Sequence, residues 1–169
     1  LDGLAPTSPF FLNLQEKMKF LKYVFVLLII STLLSCNSNH YEKEFSFPSG
    51  NWIKFNELEM LIPMEADNNY DFFGIIKTDS SFERRKIEMG FYLTLPSGEE
   101  RFIDQTYRIL DYEYQPLGTW KGSAFENNIT FRENIFSDET GLAKLSIVLH
   151  SQYYNNPGIS GLTITVKEK

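Results

Sequence analysis

The ten residues "KIEMGFYLTL", Lys86 to Leu95, alternate strictly between apolar side chains and the rest. Ile87, Met89, Phe91, Leu93 and Leu95 fall on one side; Glu88, Gly90, Tyr92 and Thr94 fall on the other. A strand sends successive side chains to opposite faces, so this period of two calls for a half-buried strand. "PSGEE" follows as a turn, with Gly98 free to take positive φ, and "RFIDQTYRIL" runs back as the second arm of a hairpin.

The same alternation recurs toward the C-terminus. "NITFRENIF" sets Ile129, Phe131 and Ile135 against Thr130, Arg132 and Asn134. "SDETG" turns, "LAKLSIVLH" presents Leu145, Ile147 and Leu149 inward, "NNPG" turns again, and "LTITV" alternates with threonines. "ELEMLI" and "YDFFGIIK" supply earlier strands. No segment of ten residues carries a convincing 3.6-residue period apart from one apolar run near the N-terminus. Seven to eight short antiparallel strands with Gly, Pro and Asn turns predict an all-β chain, an antiparallel β-sandwich of immunoglobulin-like or jelly-roll type. Fifteen Phe, nine Tyr and two Trp give it a core.

That apolar run is "YVFVLLIISTLL", Tyr23 to Leu34, preceded by Met18, Lys19 and Lys22. As a helix it would reach about 18 Å at 1.5 Å per residue, too short for a bilayer core of about 30 Å. With lysines before it, it reads as the helix of an export signal starting at Met18. Residues 1–17 have no part in that reading and are either an overextension of the gene start or a genuine leader. Leu33, Leu34, Ser35 and Cys36 then resemble the bacterial lipobox: Leu33 and Ser35 are recognised by the signal peptidase, and Cys36 receives the lipid. Each buried methylene contributes about 0.8 kcal/mol, and one acyl chain alone holds only reversibly, so two or three chains make Cys36 a durable anchor. The expected organisation is leader and signal over 1–35, lipidated cysteine and tether over 36–50, with Asn37 to Glu44 as the polar spacer, and one sandwich domain over 51–169. Asn37 after the cysteine is not the aspartate that resembles an inner-membrane retention signal. "CNSNHYEKE" lacks the dense acidic run of a surface-export tag. The outer membrane, facing the periplasm, is the expected location.

Chemistry is sparse. The chain has one cysteine and two histidines, too few for zinc by the usual motifs. No G-x-S-x-G elbow is present; His40 lies in the tether and His150 at a strand end. Asp67, Asn69 and Asp71 have the opening spacing of a calcium loop, but the sixth and twelfth places hold Phe72 and Thr78, so a polar turn is the better reading. Asp111 and Glu113 share a strand face, yet nothing marks either as an acid catalyst. No catalytic residue, metal or cofactor is expected, and the chain is read as a non-enzyme. A net charge of −6, from 16 basic and 22 acidic residues, disfavours nucleic acid, which needs a cationic face.

The informative stretch is "DYEYQPLGTWKGSAF". Tyr112, Tyr114 and Trp120 sit in a long connection, where binding residues concentrate. They either stack on a sugar, contact a protein or, as the plainer reading has it, cover the end of the sandwich as core. Tyr153 and Tyr154 in "SQYYNN" form a second rim.

"LLSC", "NWIKF", "LGTWKG" and "GISGLTITVKEK" together resemble the gliding-motility lipoprotein GldH family of Bacteroidota. The resemblance implies a small β-sandwich lipoprotein without an active site, an accessory or scaffold to a gliding and type IX secretion complex of the envelope. Its partners would be the membrane, through Cys36, and envelope proteins. The alternative function is a carbohydrate-binding lipoprotein that uses the loop aromatics.

Overall fold

Every segment read as a strand from its alternation is a strand, and two further strands join them. The computed structural model describes residues 40–169. The strands are β1 (His40–Ser46), β2 (Leu58–Met64), β3 (Asn68–Thr78), β4 (Lys86–Thr94), β5 (Glu100–Arg108), β6 (Thr119–Lys121), β7 (Ala124–Ser137), β8 (Gly141–Leu149) and β9 (Ile159–Glu168). They form two antiparallel sheets, β1-β9-β3-β7-β6 and β2-β8-β4-β5, so the described residues are an all-β sandwich of nine strands rather than seven or eight. No helix among the described residues is long and apolar enough to cross a membrane. The signal helix, Leu33, Ser35 and Cys36 lie outside the described residues.

The inner faces carry the alternation. Ile87, Met89, Phe91 and Leu93 of β4 are all buried, as are Leu145 and Ile147 of β8 and Leu162, Ile164 and Val166 of β9. Phe91 joins the sheets: it meets Phe72 of β3 edge-on at 5.3 Å and stacks on Phe131 of β7 at 5.3 Å. Such pairs add about 0.5–1.5 kcal/mol beyond the area they bury. Tyr107 of β5 closes this layer against Phe131 at 6.0 Å. Its hydroxyl lies between Gln105 Oε1 at 2.5 Å and the Thr130 carbonyl at 3.1 Å, and burial holds its pKa well above the ordinary phenol value.

Two expectations need correction. The tether does not extend to Glu44, because His40–Ser46 pairs along its whole length with β9, from His40↔Lys167 to Ser46↔Gly161. The sandwich therefore starts before residue 51. Trp120 is not in a structureless connection but on the edge strand β6, which turns back into β7 through Gly122 (φ 67) and Ser123. Positive φ at the first position of a two-residue hairpin is what glycine supplies without strain.

Of the calcium-like trio only Asp67 lies in the turn, Asn69 and Asp71 being on β3, and Asp71 is already engaged by the protein. Its carboxylate accepts the Asn134 amide at 2.8 Å and faces Lys169 Nζ at 3.0 Å. Asp111 is likewise engaged: Oδ1 accepts the amides of Glu113 and Gln115, each at 2.8 Å, which fixes the turn that carries the tyrosines.

Candidate functional site: an arginine and tyrosine cleft

The registers bring four connections to one end of the sandwich. Ser46 lies opposite Gly161, Thr78 opposite Ile159, Leu58 opposite Ile147 and Lys86 opposite Arg108. The chain leaves β1, β3, β5 and β8 there and enters β2, β4 and β9, while β6 runs toward this end and turns into β7 at it. Loops gathered at one end of a rigid sandwich are where binding residues are usually held.

These loops are tied to one another. Asn156, 1% exposed in the "NNPG" turn, is the centre. Its Nδ2 donates to the Trp52 carbonyl at 2.9 Å and the Tyr153 carbonyl at 3.3 Å, and its amide donates to Asn51 Oδ1 at 2.6 Å. Its Oδ1 accepts Arg84 Nη1. Gly158 follows with φ 84; a Cβ there would lie 2.3 Å from the Phe82 nitrogen, so only glycine lets the two loops meet.

Between these loops lies a cleft of about 360 Å³, whose wall includes Arg84, Arg85, Lys86, Tyr114, His150 and Tyr153. That volume falls within the range of small-ligand sites. Arg84 donates to Ser151 Oγ at 3.2 Å and the Asn155 carbonyl at 3.3 Å, with its guanidinium 4.5 Å from the centre of the Tyr153 ring. Arg85 donates through Nε to the Asp111 carbonyl at 3.2 Å and lies 4.5 Å and 5.4 Å from the rings of Tyr112 and Tyr114. Arg108 takes the other contact to Tyr112, at 4.8 Å. Cation–π contacts of this kind contribute about 0.5–2 kcal/mol.

The charges are uneven. Lys86 is matched by Glu88 at 2.5 Å, and His150 Nδ1 by Asp104 at 3.0 Å. Among the described residues, neither Arg84 nor Arg85 has a carboxylate at ion-pair distance. Two unmatched cations thus face one cleft in a chain of net charge −6. A second hollow of about 530 Å³ adjoins it across Ser151 and Gln152, walled by Lys54, Phe55 and Val148. Phe55 is 80% exposed, and both it (φ 74) and Tyr114 (φ 62) take left-handed backbone. That conformation costs a side-chain-bearing residue about 1–2 kcal/mol, and such strain gathers at functional sites. Among the described residues, no group of three His, Cys, Asp or Glu side chains is placed to hold a metal ion.

All five aromatic residues picked out from the sequence, Tyr112, Tyr114, Trp120, Tyr153 and Tyr154, are exposed, so the reading of Tyr112, Tyr114 and Trp120 as core cover is overturned. They do not form one platform. Tyr114 and Tyr153 line the cleft, and Tyr112 reaches it through Arg85. Trp120 sits apart, packed edge-on against Phe125 at 4.7 Å, and Tyr154 lines neither hollow. Arg84, Arg85, Phe55 and Asn156 were not anticipated. The run of three bases, Arg84 to Lys86, in an acidic chain was the available signal.

Fold and site together define an antiparallel β-sandwich with a cationic, aromatic cleft built from its loops. No family model matches the chain, and no curated protein matches it. Among solved structures, it is similar at 11% identity and TM-score 0.30 to one described under the promiscuous specificity of carbohydrate-binding modules from the β-sandwich superfamily. That match covers 78% of this chain and 56% of the other. A structure from the Gx strain of infectious bursal disease virus is similar at 12% identity and TM-score 0.19, covering 77% of this chain and 34% of the other. This chain therefore spans about a half and a third of their lengths. Both likenesses are too distant to bear on function.

Proposed function

We propose that this protein is a non-catalytic binding module, lipid-anchored in the bacterial envelope, that holds a saccharide in the cleft between Tyr114 and Tyr153. The observation that carries the reading is the pre-arranged pair of ring faces and guanidinium groups: the buried Asn156 holds Arg84 and the Tyr153 loop, and the Asp111 turn holds Arg85 beside Tyr114. Sugar rings offer apolar C–H faces to aromatic side chains and hydroxyls to donors. A site that is ordered before binding loses less entropy when it binds. Screening the purified full chain against a glycan panel tests this. Tyr114→Ala and Tyr153→Ala should each weaken the retained glycan about tenfold, which is about 1.4 kcal/mol, while Trp120→Ala leaves it unchanged. A protein that retains no saccharide sinks the reading.

The gliding-complex role implied by the family resemblance would add a protein partner to this picture. What favours such a partner is the outer face of the four-stranded sheet, where Leu61, Leu142, Tyr92 and Phe102 are exposed and the last two rings pack at 4.4 Å. Exposed apolar faces mark interaction sites. Metabolic labelling with a palmitate analogue, then crosslinking in the native envelope, tests anchor and partner together. The wild type should carry label, and Cys36→Ala should carry none and leave the membrane. Neighbours that include no motor or secretion component would rule out the complex.

A further inference from the structure

Resting on the saccharide reading, we propose that the ligand is an acidic oligosaccharide of the uronic acid class, with one ring carboxylate taken by the open fork of Arg85. The two cleft arginines are used differently. Arg84 has committed its terminal nitrogens: Nη1 to Ser151 and Asn156, Nη2 to the Asn155 carbonyl. Arg85 commits only Nε, to the Asp111 carbonyl. Among the described residues, its two terminal nitrogens have no acceptor, and its Cζ lies over the rings of Tyr112 and Tyr114. The rings hold the group in place and leave the terminal nitrogens for a ligand. A planar carboxylate meets such a fork with two parallel hydrogen bonds.

The surroundings narrow the ligand. Arg84, held beside Tyr153, adds a second positive charge that no protein carboxylate offsets. Glu88 borders the same cleft, with Asp104 behind His150 Nδ1, and these carboxylates disfavour a ligand of dense negative charge. One carboxylate per sugar ring satisfies both conditions, whereas nucleic acid does not. The adjoining hollow beside Phe55 gives room for more than one ring. Its exposed phenyl group, on strained backbone, supplies an apolar surface there.

Calorimetry on the full chain, with trigalacturonic acid and its methyl ester as probes, separates charge from shape. The acid should bind at least tenfold more tightly than the ester. Arg85→Gln should bring the acid down to the ester's affinity without weakening the ester. Arg85→Lys, which keeps the charge and loses the fork, should recover only part of the difference. Tyr114→Ala should weaken both probes. All variants are compared at matched thermal stability, so a folding defect is not mistaken for lost recognition. Equal affinity for acid and ester overturns the inference and leaves saccharide binding standing, as does an acid preference that survives Arg85→Gln. An acidic peptide that binds as tightly as the trimer and displaces it overturns the saccharide assignment. Absence of binding to these and to every neutral glycan is the distinct failure of the saccharide reading itself.

Discussion

Replacing Trp52 with alanine should lower the stability of the domain by about 3–5 kcal/mol, the range for emptying a large buried aromatic site. Trp52 is 0% exposed and stacks on Phe47 at 5.1 Å with 18° between the rings. Its Nε1 donates to the Asn56 carbonyl at 3.0 Å. Truncation leaves a cavity and removes both the stack and this hydrogen bond. Because single domains are stable by only about 5–15 kcal/mol, the loss should move the unfolding midpoint far. Trp120→Ala, in contrast, removes a ring that is 54% exposed with one edge contact to Phe125, at a cost of about 1 kcal/mol. Urea unfolding of both variants checks the contrast. A Trp52→Ala protein no less stable than Trp120→Ala would show that the β1–β2 connection does not pack as described.

The two tryptophans mark how far the sequence could be read. Both lie in glycine-bearing polar segments, "SGNWIKF" and "LGTWKGS", and no local feature separates the buried one from the exposed one. The difference arises because the β1–β2 loop is pinned to the β8–β9 loop about a hundred residues away, whereas β6 sits on an open edge. The β4–β5 hairpin was fully legible, since the apolar positions of β4 all repeat one inward constraint, and Gly98 takes φ 83 in the turn. Strand β1 was not. "HYEKEFS" turns only Tyr41 and Phe45 partly toward the core and is held by backbone pairing to β9, which leaves little mark on side-chain type. The tyrosines were legible as binding residues one by one. Their grouping was not, because Tyr114 and Tyr153 come to line one cleft only where the β5–β6 and β8–β9 loops converge. "ERRK" reads as a solvated run until those loops place rings beneath two of its three cations.

Asn156→Ala should have the second large effect, and it should damage the cleft more than the fold. The side chain spans three connections: its amide serves the carbonyls of Trp52 and Tyr153, and its oxygen takes Arg84. Alanine leaves the buried Trp52 carbonyl without this donor and Arg84 without its inward acceptor. A lost hydrogen bond to a charged group costs about 1.5–3 kcal/mol and a stranded buried polar group about 1–3 kcal/mol. The two losses share one network and do not simply add, so about 2–4 kcal/mol of stability should go. Ser151→Ala removes one of Arg84's other acceptors and, in an exposed loop, the acceptor of the Tyr153 amide, and should cost about 1–2 kcal/mol. Binding separates the two more sharply. With Asn156 gone, Arg84 and Tyr153 lose their shared support, and the cleft must be ordered anew each time it is filled. Saccharide affinity in Asn156→Ala should therefore fall at least tenfold at a temperature where the protein is still folded. Ser151→Ala should retain most of its affinity. If Asn156→Ala is as stable as wild type and binds as well, the loops are held by something other than this side chain, and the pre-arranged cleft is no longer an explanation for binding.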